Sequence, residues 1–140
     1  MRKSPACLGL LQMKYLLDTH IILWAALDVK RLSRKAKAIL ENPESVLYFS
    51  PISLWEISIK HEKHPKQMAI TSERVKELAL KMGFIELPVR SRHGVDIAKL
   101  PDIHGDPFDR MLITQARSDG LVLISHDDTV IAYGESVMKV

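Results

Sequence analysis

The chain has 140 residues, 46% hydrophobic and 26% charged, the balance of a soluble globule long enough for one domain with a buried core. A single cysteine, Cys7, excludes an internal disulfide framework and a cysteine zinc cluster, and fits a reducing cytoplasm. The net charge of +3 leans only weakly towards an anionic partner, and no apolar run reaches the ~18 residues that a membrane span needs.

Residues 1–12 read as a poorly packed extension, or as a segment ahead of a true start at Met13. The expected domain is 13–140. "KYLL" (14–17) reads as a first strand ending at Asp18, and "HIILWAAL" (20–27) as a short helix. Ser33 can cap a helix running to about Asn42, followed by a second strand, "VLYFS" (46–50). Ser50 and Pro51 then start a helix through "ISLWEISIKHEK". Thr71 or Ser72 caps "ERVKELALKM", which Gly83 stops. "FIELPV" (84–89) reads as a third strand, and a short helix follows around "VDIAKL". "HGDPFDRML" (104–112) opens a helix that runs to Asp119 and stops at Gly120. "LVLIS" (121–125) is a fourth strand, and "SVMKV" at the chain end a candidate fifth.

Strands alternating with helices predict a three-layer α/β/α sandwich around a mostly parallel sheet of four or five strands. Ligands of such sheets bind beyond the carboxyl ends of the strands. Asp18 ends strand one, and Asp127 lies just past strand four. Asp106 and Asp109 open the helix that leads into strand four, and Glu56 sits early in the helix after strand two. All five are therefore expected at one edge.

Asp106, Pro107 and Asp109 also make a helix start signal, with Asp106 as N-cap. Asp109, however, shares an i, i+3, i+4, i+7 stripe with Leu112, Ile113 and Ala116, opposite Arg110, Thr114 and Arg117. Glu56 shares one with Ile52, Trp55 and Ile59. An ionised carboxylate on an apolar stripe is costly unless something pairs with it. For Asp109 the plain reading is a bond to its own helix terminus. For Glu56 it is a salt bridge to a lysine or arginine. The functional reading is a shared divalent cation, which turns the mutual repulsion of clustered acids into attraction. All-oxygen sites suit Mg²⁺ or Mn²⁺, and such sites serve phosphodiester hydrolysis.

"YLLDTH", "SLWEISIK", "FDRMLITQA" and "LISHD", in this order, resemble the four acidic motifs of PIN domains, and most closely those of the VapC-like toxin ribonucleases of bacterial toxin–antitoxin pairs. The resemblance runs from Met13 almost to the end. It implies a parallel α/β/α sandwich, Mg²⁺ or Mn²⁺, cleavage of RNA, a homodimer and a cognate antitoxin that blocks the site. Carried over, Asp18 and Asp109 are the main metal ligands, and Asp127 completes the site. Glu56 holds a water or a second ion. Thr19 and Ser125 match the hydroxyls beside the first and fourth acids. "HDD" offers two acids. The family pattern selects Asp127, and Asp128 faces the other way on an extended chain.

Two alternatives stand beside this. "DTH" (18–20) and "GDPFDR" (105–110) fit metallophosphoesterase motifs that would bring in His20. They lie far apart in the chain, no Gly-Asn-His follows, and "LPDIH" reads as loop where a strand is needed. The other alternative is a non-catalytic partner-binding module on the same fold, against which the presence of all four acids counts. Candidate RNA contacts are Arg110, Lys60 and Lys63, with Lys66, Arg90 and Arg92 behind them; the plain reading of Arg110 is a surface salt bridge, with Asp106 as a partner.

Overall fold

The computed structural model describes residues 13–140; the expected extension, 1–12, lies outside the described residues. In chain order the elements are β1 (Met13–Leu17), α1 (Thr19–Leu27), α2 (Arg34–Glu41), β2 (Ser45–Phe49), α3 (Pro51–Lys63), α4 (Ser72–Lys81), β3 (Ile85–Glu86), α5 (Ser91–Asp96), α6 (Pro107–Asp119), β4 (Val122–Ser125), α7 (Asp128–Ile131) and β5 (Val137–Lys139). The five strands form one sheet in the order β3-β2-β1-β4-β5, and every pairing is parallel.

The period of two in each strand divides the core into two layers. Tyr15, Leu17, Leu47, Phe49 and Ile124 pack with Ile21 and Ile22 of α1, Ala36 of α2, Ile57 of α3, and Val75 and Ala79 of α4. Leu16 and Leu123, on the opposite face, pack with Leu112, Ile113 and Ala116 of α6 and with Val130 of α7. Each fully buried Leu or Ile contributes about 1.5–3 kcal/mol. This is the expected α/β/α sandwich, with five strands.

The helix starts follow the sequence closely. Ser33 accepts from Ala36 N–H at 3.1 Å, Ser50 from Ile52 N–H at 3.1 Å, and Thr71 from Arg74 N–H at 3.2 Å. Gly120, at φ 70°, takes the left-handed conformation that closes α6. Ser50 starts α3 as its N-cap, as expected, so the second strand ends one residue earlier, at Phe49.

The third strand is much shorter than "FIELPV". Only Ile85 and Glu86 pair with β2, and the last ladder bond is Leu87 N–H to Phe49 O at 2.8 Å. Pro88 has no N–H with which to continue. The helix expected around "VDIAKL" begins earlier, at Ser91, and ends in a 3₁₀ turn at Ile97–Lys99. Residues 101–106 contain neither helix nor strand, so the strand that the metallophosphoesterase reading needs before Gly105 is absent.

Candidate metal centre at the sheet edge

The chain leaves β1 towards β2 on one side and returns to β4 on the other. The carboxyl ends of β1 and β4 therefore flank a topological switch point, where open α/β sheets bind ligands. Leu17 is in register with Ile124, and Asp18 N–H donates to Ile124 O at 3.1 Å. That pairing sets Asp18 beside Ser125. Ser125 Oγ donates to Asp18 Oδ2 at 2.6 Å, while Thr19 N–H donates to Oδ1 at 2.7 Å.

α3 brings Glu56 to the same edge. Thr19 Oγ1 lies 2.8 Å from Glu56 Oε1 and 2.9 Å from Ser53 Oγ. Lys60, one turn on, donates to Glu56 Oε2 at 2.8 Å. The salt-bridge reading of Glu56 therefore holds, and so does its position beside Asp18. The stripe that carries it differs from the expected one. Ser53, Glu56 and Ile57 are buried, whereas Trp55 is 58% exposed. The inward face is turned by about one residue because α3 packs on α4 and α6 as well as on α1, not on a single neighbour.

α6 supplies Asp109. Asp106 caps the helix, accepting from Phe108 N–H at 2.8 Å and Asp109 N–H at 3.2 Å. Leu112, Ile113 and Ala116 are fully buried, as the stripe predicted. Thr114, placed on the outer side by the sequence, is buried too and donates to Arg110 O at 2.8 Å. Asp109 Oδ2 is 2.9 Å from His104 Nε2.

Asp127 is exposed and caps α7, with Oδ1 accepting from Thr129 N–H at 2.9 Å and Thr129 Oγ1 at 2.8 Å. Its own N–H donates to Ser125 Oγ at 3.1 Å, which ties it to Asp18 through one hydroxyl. Asp128 does face away, but because it starts a helix and pairs with Lys139, not because the chain is extended.

The acids feel one another. Burial, with further repulsion from Glu56, raises the pKa of Asp18 despite its bonds from Ser125 and Thr19. Burial first, then the charge of Asp18, pushes Asp109 up from 3.8 to about 6, against the pull of His104. Asp127 lies below its usual value: slight burial opposes this, but the two Thr129 donors and the charges of His104 and His20 outweigh it.

The donors are carboxylate oxygens, the chemistry that a hard cation takes. Asp109 Oδ1, Asp127 Oδ2 and Asp106 Oδ2 accept no hydrogen bond among the described residues. Each Asp18 oxygen accepts one bond and keeps a lone pair. Each Glu56 oxygen likewise accepts one bond, Oε1 from Thr19 and Oε2 from the Lys60 ammonium. Among the described residues, the group whose ligand atoms all lie within 4.8 Å of one another is His104, Asp106 and Asp109; Asp18 and Asp127, expected as ligands from the sequence, fall outside it. That trio adds an imidazole, a nitrogen donor, to the carboxylates.

The sequence reading missed His104, Ser53 and Tyr133. Tyr133 Oη accepts from His104 N–H at 2.8 Å and so holds the loop that carries the imidazole. Arg110 serves the same loop, donating to Pro101 O at 3.0 Å, and to His104 O and Tyr133 Oη at 3.4 Å. It makes no salt bridge with Asp106. His104 lay inside "HGDPFDRML", but a histidine five residues before an aspartate has no helical register to signal contact. Lys63 ends α3 exposed, and Lys60 is occupied by Glu56.

A family model, "PIN domain", matches residues 15–135. No curated protein matches the chain. Among solved structures, VapBC2 from Rickettsia felis, bound to a DNA fragment from their promoter, is similar at TM-score 0.64 and 13% identity, over 91% of this chain and 97% of that one. A toxin–antitoxin complex from Klebsiella pneumoniae follows at TM-score 0.58 and 21% identity, covering 89% and 95%. FitAcB from Neisseria gonorrhoeae follows at 0.59 and 20%, covering 89% and 96%. At these identities the structures speak for the fold; the family is carried by the model match across most of the chain. The chain belongs to the PIN domain family.

Proposed function

We propose that this protein is a Mg²⁺- or Mn²⁺-dependent endoribonuclease and the toxin of a toxin–antitoxin pair. The observation that carries the reading is the convergence of Asp18, Glu56, Asp109 and Asp127 on one sheet edge, with Asp18 and Asp109 both held above the usual carboxylate range. Lys60 pairs with Glu56 and His104 with Asp109, but Asp18 has no basic partner among the described residues, so an edge that keeps these acids together is suited to a cation.

Asp18, Asp109 and Asp127 would hold the ion. When bound, it supplies charge neutralisation at the scissile phosphate and makes a water easier to deprotonate. Ser125 and Thr19 orient Asp18, and His104 orients Asp109, as hydrogen-bonded neighbours of metal ligands do. Glu56 is the remaining carboxylate. Its Lys60 partner is 41% exposed, so an RNA phosphate can draw the ammonium away and free Oε2 to accept a proton from the attacking water. Lys63, one turn on, meets the RNA backbone.

The similar solved structures include toxin–antitoxin complexes, which supports a cognate antitoxin as partner; a homodimer belongs to the same reading. The test is cleavage of cellular RNA by purified protein. It should vanish in EDTA and return with Mg²⁺ or Mn²⁺. Undiminished cleavage by metal-free protein would overturn the reading. A protein that binds neither ion at this edge would be a partner-binding module instead.

A further inference from the structure

Between α1 and residues 67–70 lies an open cavity of about 430 Å³, with walls that include His20, Leu23, Trp24, Arg31, Met68 and Ile70. Trp24 is its aromatic wall. The His20 ring stacks on the indole at 5.8 Å and 29°. His126 meets it edge-on at 5.3 Å and 72°. The exposed Arg31 guanidinium sits 5.0 Å over the ring. His20 follows Asp18 by two residues and His126 immediately precedes Asp127, so the cluster joins the acid edge at two points. Trp24 is six residues past Asp18, about 9 Å along α1, roughly the reach of one to two nucleotides of an extended strand.

We propose that this cavity is a nucleobase subsite, taking one unpaired base of a single-stranded RNA against Trp24 as the exposed Arg31 swings off the indole, beside the phosphate at the acid edge. It rests on the ribonuclease reading and adds to it the residues that grip the substrate. An indole kept only for the core would be covered by aliphatic side chains. This one packs on the core but also meets two imidazoles and a guanidinium, which suit a flat π system carried on a negative backbone, with Asp28 the one acid among the described residues of the cavity wall. Stacking on an aromatic ring, with an arginine contributing cation–π attraction, is how single strands are held without regard to sequence. Leu23, Met68 and Ile70 give the base an apolar floor.

The chain has two tryptophans, so Trp55→Phe leaves Trp24 as the sole indole reporter. In that background, with Asp109→Asn added against turnover, Trp24 emission is followed during titration with a mixed-sequence single-stranded RNA decamer, and separately with polyphosphate. RNA should quench the emission and polyphosphate should not. Arg31→Ala, a surface change that leaves the fold untouched, should weaken RNA binding about tenfold, and Trp24→Phe should weaken it less while keeping the packing. In protein with Asp109 intact, Arg31→Ala should raise KM for RNA with kcat within about twofold. RNA binding with unchanged Trp24 emission, or equal quenching by polyphosphate, overturns the subsite. So does quenching by an arginine-rich peptide but not by RNA, which assigns the cavity to a protein partner. Quenching by RNA without any metal-dependent cleavage leaves the subsite standing and refutes the nuclease reading alone.

Discussion

Asp109→Asn separates stability from function at the acid edge. The variant keeps the shape of the side chain, and its amide can still meet His104 Nε2. In the folded protein the Asp109 carboxyl is raised from 3.8 to about 6. Two units correspond to about 3 kcal/mol. The side chain is 14% exposed at an open edge where solvent screens, so about 1–2 kcal/mol is the working figure. The sign follows from linkage. The folded state binds the proton more tightly than the unfolded one, so this group favours folding below pH 4, and that contribution is lost as pH rises through about 6. In EDTA at pH 7 the variant should therefore be more stable than the parent by about 1–2 kcal/mol, or roughly 3–8 °C in Tm. At pH 4 the difference should close. With Mn²⁺ present the order should reverse, because only the parent gains ligand stabilisation, and the variant should not cleave RNA. Thermal melts at both pH values, with and without metal, read all of this. A variant no more stable than the parent at pH 7 without metal would mean that the His104 bond already offsets the burial and repulsion, and the argument for a cation from the raised acids would fail.

Thr19→Val removes the hydroxyl shared by Glu56 and Ser53 and leaves buried acceptors unpaired; a loss of about 1–3 kcal/mol in denaturant melts is expected, with reduced cleavage. Glu56→Gln gives up one half-exposed ion pair, so stability should move by no more than about 1 kcal/mol while turnover falls; normal turnover with a large stability loss would restore the purely structural role. Asp106→Asn should keep the fold and much of the activity, because asparagine caps about as well as aspartate. Asp106→Ala should lose about 0.5–2 kcal/mol. An inactive Asp106→Asn protein that binds Mn²⁺ poorly would instead place Asp106 among the ligands.

Much of the edge was legible because capping and strand ends are local. Ser33, Ser50 and Asp106 announce their helices within three residues, and the order of strands and helices gives a parallel sheet whose carboxyl ends must share one side. What stayed hidden depends on non-local packing. Trp55 was placed inward because it falls on the i+3 line from Ile52, but α3 is turned by neighbours on two sides, so Ser53 and Ile57 took the interior. Gln115 reads as a polar residue on an amphipathic helix. It is fully buried because Ser50 Oγ at 2.5 Å and the carbonyls of Leu87 and Pro88 at 3.2 and 3.4 Å satisfy its amide. No spacing in the sequence connects residues 50, 87 and 115.

"HGDPFDRML" shows both limits in nine residues. The cap and the inward acid could be told apart by register: Asp106 precedes the helix, and Asp109 stands one turn in, on the line of Leu112 and Ile113. What register could not supply is the reason Asp109 stays aimed at Asp18. That comes from a loop of irregular backbone, fixed by Tyr133 from beyond α7 and by Arg110 reaching back from the outer face of α6, which sets His104 against the carboxylate. Arg110 looked from the sequence like a free charge for RNA. Its Nη1 donates to two backbone carbonyls and a phenol, so it also fixes the position of His104 and hence of Asp109.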